Sequence, residues 1–213
     1  MLDLILPLEC GGCGAPSTRW CAACGRELAV VADQPHVANP RIDPQVPVFA
    51  LGRYAGARRR AILALKEHGR GDLVGPLARV LAVGVHRLLS WGIIETPLTI
   101  VPAPTRRSAA RRRGGDPVTR LARAAVAGHP DITVAAALRM KPLARDSVGL
   151  GVGARERNIA GRVVLCGRRV TQSAPEALLV DDIVTTGATA RESVRILHAT
   201  GIRVAAVLTI AVA

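Results

Sequence analysis

At 213 residues, the chain is long enough to bury one α/β core of ordinary size and still carry an appendage. A hydrophobic fraction of 49% supports that core, but aromatics supply only 2%, which disfavours a base-stacking surface for single-stranded nucleic acid. The net charge of +13 points either to a polyanionic partner or to the arginine bias of a GC-rich genome, because Lys66 and Lys141 are the only lysines.

The first feature in chain order is a cysteine cluster. Cys10-Gly11-Gly12-Cys13 and Cys21-Ala22-Ala23-Cys24 form C-x2-C-x7-C-x2-C, with Gly14 and Gly25 placed for the positive φ that such knuckles tend to need. Each pair points two thiolates at one ion, and four thiolates suit tetrahedral Zn²⁺ in a closed structural site. An iron–sulfur cluster, a redox dithiol or an empty site are the alternatives. Residues 1–30 hold too few large apolar side chains for a core of their own, and a metal supplies the missing free energy, on the order of ten kcal/mol. Trp20 is expected to pack against this zinc-binding knuckle. Met1 to Pro7 lacks the basic start and cleavage site of a signal peptide, and no uninterrupted apolar run reaches the roughly 18 residues of a membrane span, so a cytoplasmic setting is expected.

Residues 31–47 carry Pro35, Pro40, Pro44 and Pro47 among polar residues, the composition of an extended linker. From residue 48 to 213 the pattern is that of an α/β domain. Val48 to Arg53 reads as a strand and Ala57 to Lys66 as a basic helix. Asp72 is placed to cap a longer helix whose apolar stripe includes Leu73, Leu77, Val80, Leu81 and Leu88. Leu98 to Val101 is a short apolar strand, and Pro117 to Ala127 a helix with proline in its first turn. Ile132 to Leu138, Val163 to Cys166, Leu178 to Asp181 and Val204 to Val212 are further strands, and 167–175 a connecting loop. Apolar strands alternating with amphipathic helices predict a mostly parallel sheet flanked by helices, with ligands bound beyond the carboxyl ends of its strands. The loops at 102–106 and 182–189 both lie at such ends.

The second of these loops carries the chemistry. An apolar run ends in Asp181-Asp182, then breaks into Thr185, Thr186, Gly187, Ala188 and Thr189 before a helix expected at Ala190 to Ala199. Backbone N–H groups of 186–189 at a helix N-terminus suit a phosphate, and the carboxylates suit the hydroxyls of an attached sugar or a metal. Both carboxylates meet one ligand only if the chain turns at Asp182, since successive strand residues face opposite ways. His36, His68, His86, His129 and His198 make no triad or ligand spacing, and Cys166 reads as a core residue.

The stretch Leu178 to Thr189 resembles the phosphoribosyl-pyrophosphate signature of type I phosphoribosyltransferases. That resemblance implies a type I phosphoribosyltransferase-like fold in which Asp181 and Asp182 hold the ribose hydroxyls and Thr185 to Thr189 cradle the 5′-phosphate. It also implies that Pro102, Ala103, Pro104, Thr105 and Arg106 receive pyrophosphate, with Mg²⁺ bridging. The wider pattern resembles the ComF (competence protein F-like) family. It rests on the paired CxxC knuckles, Tyr54-Ala55-Gly56 leading to Leu65-Lys66, the Val101-Pro102-Ala103-Pro104 loop, Arg113-Gly114, and Arg155-Glu156-Arg157-Asn158. The family pattern usually continues Arg-Gly-Phe-Asn-Gln, whereas here Gly115-Asp116-Pro117 follows Arg113-Gly114. It also usually has a glutamine where this chain has Ser147.

The expected ligand is therefore phosphoribosyl pyrophosphate or a related ribose 5-phosphate, with transfer of the pentosyl group and release of pyrophosphate if the protein is an enzyme. The acceptor base is open. The alternative implied by the ComF resemblance is a non-catalytic accessory protein of DNA uptake that binds single-stranded DNA or DNA-processing proteins. Arg106, Arg107, Arg111, Arg112 and Arg113 bear on both readings. They read as a hood over pyrophosphate, as a contact to DNA phosphates, or as a solvated basic loop.

Overall fold

A computed structural model describes residues 8–105, 116–141, 161–166 and 176–213. The arginine run with Arg106, Ser147, the 155–158 motif and the 167–175 loop lie outside these residues. The elements in chain order are α1 (Ala22–Leu28), β1 (His36–Val37), β2 (Val48–Ala50), α2 (Gly56–Glu67), a 3₁₀ turn (Gly71–Leu73) and α3 (Val74–Ser90). They continue with β3 (Leu98–Pro102), α4 (Pro117–Ala125), β4 (Ile132–Val134), β5 (Leu138–Met140) and β6 (Val163–Leu165). The chain closes with β7 (Glu176–Val184), α5 (Ala188–Ala199) and β8 (Arg203–Val212).

Among the described residues, six strands form one sheet in the order β1-β2-β8-β7-β3-β4. In that sheet β1 is antiparallel to its neighbour, and the other four pairings are parallel. Parallel strands covered on both faces should be apolar throughout, and β3 is buried along its whole length. One face is closed by α2, α3 and α4, where Ile62, Leu65, Leu77, Leu81, Leu88 and Leu121 pack on Leu178, Val180 and Leu208. The other is closed by α5, where Val194 and Leu197 pack on Val101, Leu179 and Val207.

The connections place a crevice. β3 leads through α4 to β4 on one side, while β7 leads through α5 to β8 on the other. The chain thus leaves two adjacent strands in opposite directions, which makes the carboxyl ends of β3 and β7 the topological switch point at which open α/β sheets bind ligands.

Several elements differ from the sequence pattern for local reasons. The stretch Ile132 to Leu138 is two strands, because the chain leaves the main sheet at Ala135–Ala137 and pairs β5 with β6 in a separate antiparallel ladder. Asp72 does not cap α3; its carboxylate is taken by Arg70, 2.7 Å away, inside the 3₁₀ turn. The Pro-rich segment is bound to the domain along part of its length. His36 and Val37 pair with β2, the Ile42 N–H donates to the Thr186 carbonyl at 2.8 Å, and Arg191 Nη1 donates to the Asp43 carbonyl at 3.4 Å.

The stretch Gly71–Ser90 matches a membrane span by length and composition. Its Leu73, Leu77, Leu81 and Leu88 are nevertheless fully buried against the sheet, as in a core helix of a globular domain. Truncating this stripe tests its weight. Leu77→Ala is expected to cost about 2–5 kcal/mol of unfolding free energy, read as a lowered urea midpoint at unchanged slope.

Candidate functional site

Two sites grow out of this frame. The first is the cysteine cluster, whose four Sγ atoms all lie within 4.8 Å of one another. Cys21 caps the N-terminus of α1 and its Sγ accepts from the Cys24 N–H, while the Cys10 Sγ accepts from the N–H groups of Gly12 and Cys21 at 3.4 and 3.3 Å. Gly14 takes the positive φ expected after the first pair, whereas Gly25 lies within α1, so the second pair is shaped by the helix instead. Trp20 packs on Cys10, Cys24 and Ala57.

Burial pushes the Cys10 thiol up, but the backbone N–H groups of Cys21, Gly12 and Cys13 outweigh it and bring it to about 6. Burial together with the neighbouring sulfurs pushes the Cys24 thiol up. A cation among these sulfurs favours the thiolate at every position. Four convergent sulfurs, two of them already accepting N–H bonds, are placed to bind a metal ion such as zinc.

The cluster is fastened to the domain through α2. The Glu27 carboxylate of α1 accepts the Ala57 N–H at 2.7 Å, taking one of the unpaired donors at the start of α2. Arg58, only 6% exposed, donates to the carbonyls of Leu51 and Leu28, and Arg60 donates to the carbonyl of Gly12.

The second site is the switch-point crevice. Parallel pairing aligns Pro102 with Val180, and the Ala103 N–H donates to the Val180 carbonyl at 2.7 Å. Pro102, Ala103, Pro104 and Thr105 therefore leave the sheet beside Asp181 and Asp182. The Thr105 hydroxyl donates to Asp116 at 3.0 Å, and Asp116 also caps α4 through the Thr119 N–H.

The expected turn at Asp182 does not occur, since β7 runs on to Val184 in register with Val212 of β8. The facing of its side chains slips instead. Leu178 and Val180 belong to the core under α3, and strict alternation would put Val184 with them; Val184 lies in the core under α5, and Ile183 packs on the α3 side. The change of phase falls after the aspartate pair, between Asp182, which faces Lys66 of α2 on the same side as Val180, and Ile183.

Asp182 is buried and ion-paired with Lys66 of α2, Nζ to Oδ1 2.8 Å. Burial works against the Lys66 ammonium, but the attraction and hydrogen bond of Asp182 more than offset it and hold the lysine above its ordinary value. Asp181 is half-buried and accepts the Asp182 N–H at 2.8 Å. Burial, reinforced by the neighbouring Asp182 carboxylate, pushes its carboxyl well above the usual range.

Beyond the pair, Thr185 is exposed and Thr186 half-buried, and Gly187 begins α5 with φ 86°. Helix α5 thus starts at Ala188, two residues before the expected Ala190. Gly187 is required twice: for that φ, and because an added Cβ would collide with the Ile42 carbonyl and Pro40. Gly187 has no side chain to cap α5, and the Thr186 Oγ1 accepts the Ala188 N–H at 3.4 Å in its place. The first intrahelical bond is Arg191 N–H to the Gly187 carbonyl, so the N–H groups of Thr189 and Ala190 stand ahead of the ladder.

The residues singled out at 102–105 and 181–189 come together at the carboxyl ends of β3 and β7, and the four cysteines come together at the other end of α2. Lys66 is visible in the sequence only as part of the family pattern. Its own signal is chemical: a lysine at a helix end in a chain whose cations are otherwise nearly all arginine. The buttress from Pro40 to Ile42 and the role of Asp116 leave no sequence signal of their own. Comparison with family models finds no match to the chain, and comparison with curated proteins finds none.

This geometry has two measurable consequences. Cys24→Ser is expected to abolish retention of metal in elemental analysis and to cost several kcal/mol, seen as a fall in Tm of roughly 10 °C. Asp181 binds its proton more readily folded than unfolded, so stability declines as pH rises from the ordinary carboxyl value of about 3.9 through its raised native value. Asp181→Asn should therefore raise Tm at pH 7, with the gain shrinking toward pH 4 in a series of thermal melts.

Proposed function

We propose that the crevice binds a ribose 5-phosphate group, as carried by phosphoribosyl pyrophosphate, in a type I phosphoribosyltransferase-like fold with zinc in the cysteine cluster. The observation that carries this reading is one continuous segment at the switch point, in which an acidic pair, a hydroxyl-rich loop and the open first turn of α5 follow one another. The open N–H groups of Thr189 and Ala190, the hydroxyls of Thr185, Thr186 and Thr189, and the helix dipole receive the 5′-phosphate. Asp182, held by Lys66, offers acceptor oxygens to a ribose hydroxyl.

The 102–105 loop lies where the pyrophosphate of such a ligand would emerge, with Thr105 oriented by Asp116. When bound, Mg²⁺ supplies charge neutralisation to the pyrophosphate leaving group. If transfer takes place, the bond from the ribosyl carbon to pyrophosphate breaks, a bond to a nucleobase nitrogen forms, and the proton leaves from that nitrogen. The carboxylate of Asp182 would then lie near the cationic ribosyl centre that develops on the way. The cysteine cluster takes no part in these steps; four thiolates close the coordination of zinc and leave no position for substrate.

Calorimetry on the metal-loaded protein tests the reading. Phosphoribosyl pyrophosphate with Mg²⁺ is expected to bind, ribose 5-phosphate to bind more weakly, and Asp182→Asn to lose at least about tenfold in affinity for both, the roughly 1.5–3 kcal/mol of a hydrogen bond to a charged group. Absence of heat with either ligand on the wild type would sink it. Pyrophosphate release across a panel of nucleobases then separates transfer from binding alone.

A further inference from the structure

Paired carboxylates at the mouth of a crevice would ordinarily be taken as a seat for a divalent cation. Here one of the two is already engaged. The Asp182 side chain is 4% exposed and its Oδ1 lies 2.8 Å from the Lys66 ammonium, whose own side chain is 27% exposed at the crevice edge. Asp181 and Tyr54 also act on that ammonium, and Arg59 lies over the Tyr54 ring at 5.8 Å.

The lysine cannot easily step aside. It occupies the last turn of α2, and the first turn of the same helix is fastened through Glu27, Arg58 and Arg60 to α1 and the cysteine cluster. A rigid helix about 18 Å long by its twelve residues thus delivers one positive charge to Asp182.

We infer that Lys66 is a positioning residue that occupies the cation position on Asp182, reserving the aspartate pair for sugar hydroxyls and excluding a directly bound divalent metal. An ammonium has donors and no acceptor, so it orients one carboxylate oxygen and leaves the other lone pairs for hydroxyl donors. A divalent ion at the same oxygen would have to displace a charge that the fold holds in place. The inference rests on the ribose 5-phosphate reading for its functional half, whereas its cation half stands on the ion pair alone.

The experiment uses the full chain with its cysteine metal in place, and two probes. Mn²⁺ alone is titrated and followed by loss of the free-ion electron paramagnetic resonance signal, and ribose 5-phosphate is titrated without divalent metal by calorimetry. The wild type is expected to hold no Mn²⁺ at the pair. Lys66→Met should gain a Mn²⁺ site at least tenfold tighter, lost again in Lys66→Met/Asp182→Asn, and should bind ribose 5-phosphate at least tenfold more weakly. Lys66→Arg, which keeps the charge, should bind ribose 5-phosphate between the two and take up no Mn²⁺.

A wild-type Mn²⁺ site that disappears in Asp182→Asn overturns the inference without recourse to any lysine variant, so misfolding of Lys66→Met does not shelter it. Unchanged ribose 5-phosphate affinity in a folded Lys66→Met overturns the positioning role. If the wild type fails to bind ribose 5-phosphate, the functional reading falls, and the Mn²⁺ titrations still decide whether Lys66 guards Asp182.

Discussion

The parallel pairing of β3 with β7 is the constraint on which the crevice depends. It aligns Pro102 with Val180 and draws the Ala103 N–H onto the Val180 carbonyl, so two loops about 80 residues apart in sequence leave the sheet side by side. Because the two strands are followed by crossovers that depart in opposite directions, their carboxyl ends part around a common space. A slip of one residue in this pairing would reverse which face each side chain of β3 presents and would also displace the 102–105 loop from the aspartates. The fully buried β3 fixes the register, since both of its faces are committed to core.

Helix α2 joins the two sites into one construction. Its N-terminus is capped by a residue of the cysteine appendage, its first turn carries a buried arginine that ties Leu28 to Leu51, and its last turn supplies the ion pair to Asp182. A buried charge survives only where its partners are fixed, because the desolvation cost of an unpaired ion exceeds what a mobile partner returns. The appendage therefore does more than fold locally around its cysteines: it braces the helix that sets the electrostatics of the crevice. A surface cluster too small for its own core gains stability from α2, and its four convergent sulfurs are placed to gain more from a metal.

A second brace comes from the Pro-rich segment. Composition alone describes 31–47 as a spacer, and prolines do keep it extended, yet its Ile42 N–H closes on Thr186 and its carbonyl approaches Gly187. The loop that precedes α5 is thus supported from behind by backbone, which leaves its other side open toward the acidic pair. Such a contact is possible only at a residue without a side chain, so Gly187 serves the φ of the helix start and the packing of the buttress together.

Much of this is legible in the chain itself, and the reason is local chemistry. The spacing of Cys10, Cys13, Cys21 and Cys24 announces a metal cluster because knuckle geometry is set within a few residues. The apolar runs of β3, β7 and β8 announce a parallel sheet because strands covered on both faces cannot alternate with polar residues. The order of Asp181, Asp182, Thr185 to Thr189 and a helix announces a strand, a hydroxyl-rich loop and a helix start because those residues lie on one short segment. What only the tertiary structure decided are the relations between segments far apart in sequence. These are the pairing of Lys66 with Asp182, the cap from Glu27, the support from Ile42, and the phase slip that sends Val184 to the opposite core from Val180. Each depends on how helices and strands pack against one another, and packing is settled by the summed burial of many side chains rather than by any pattern that a single segment carries.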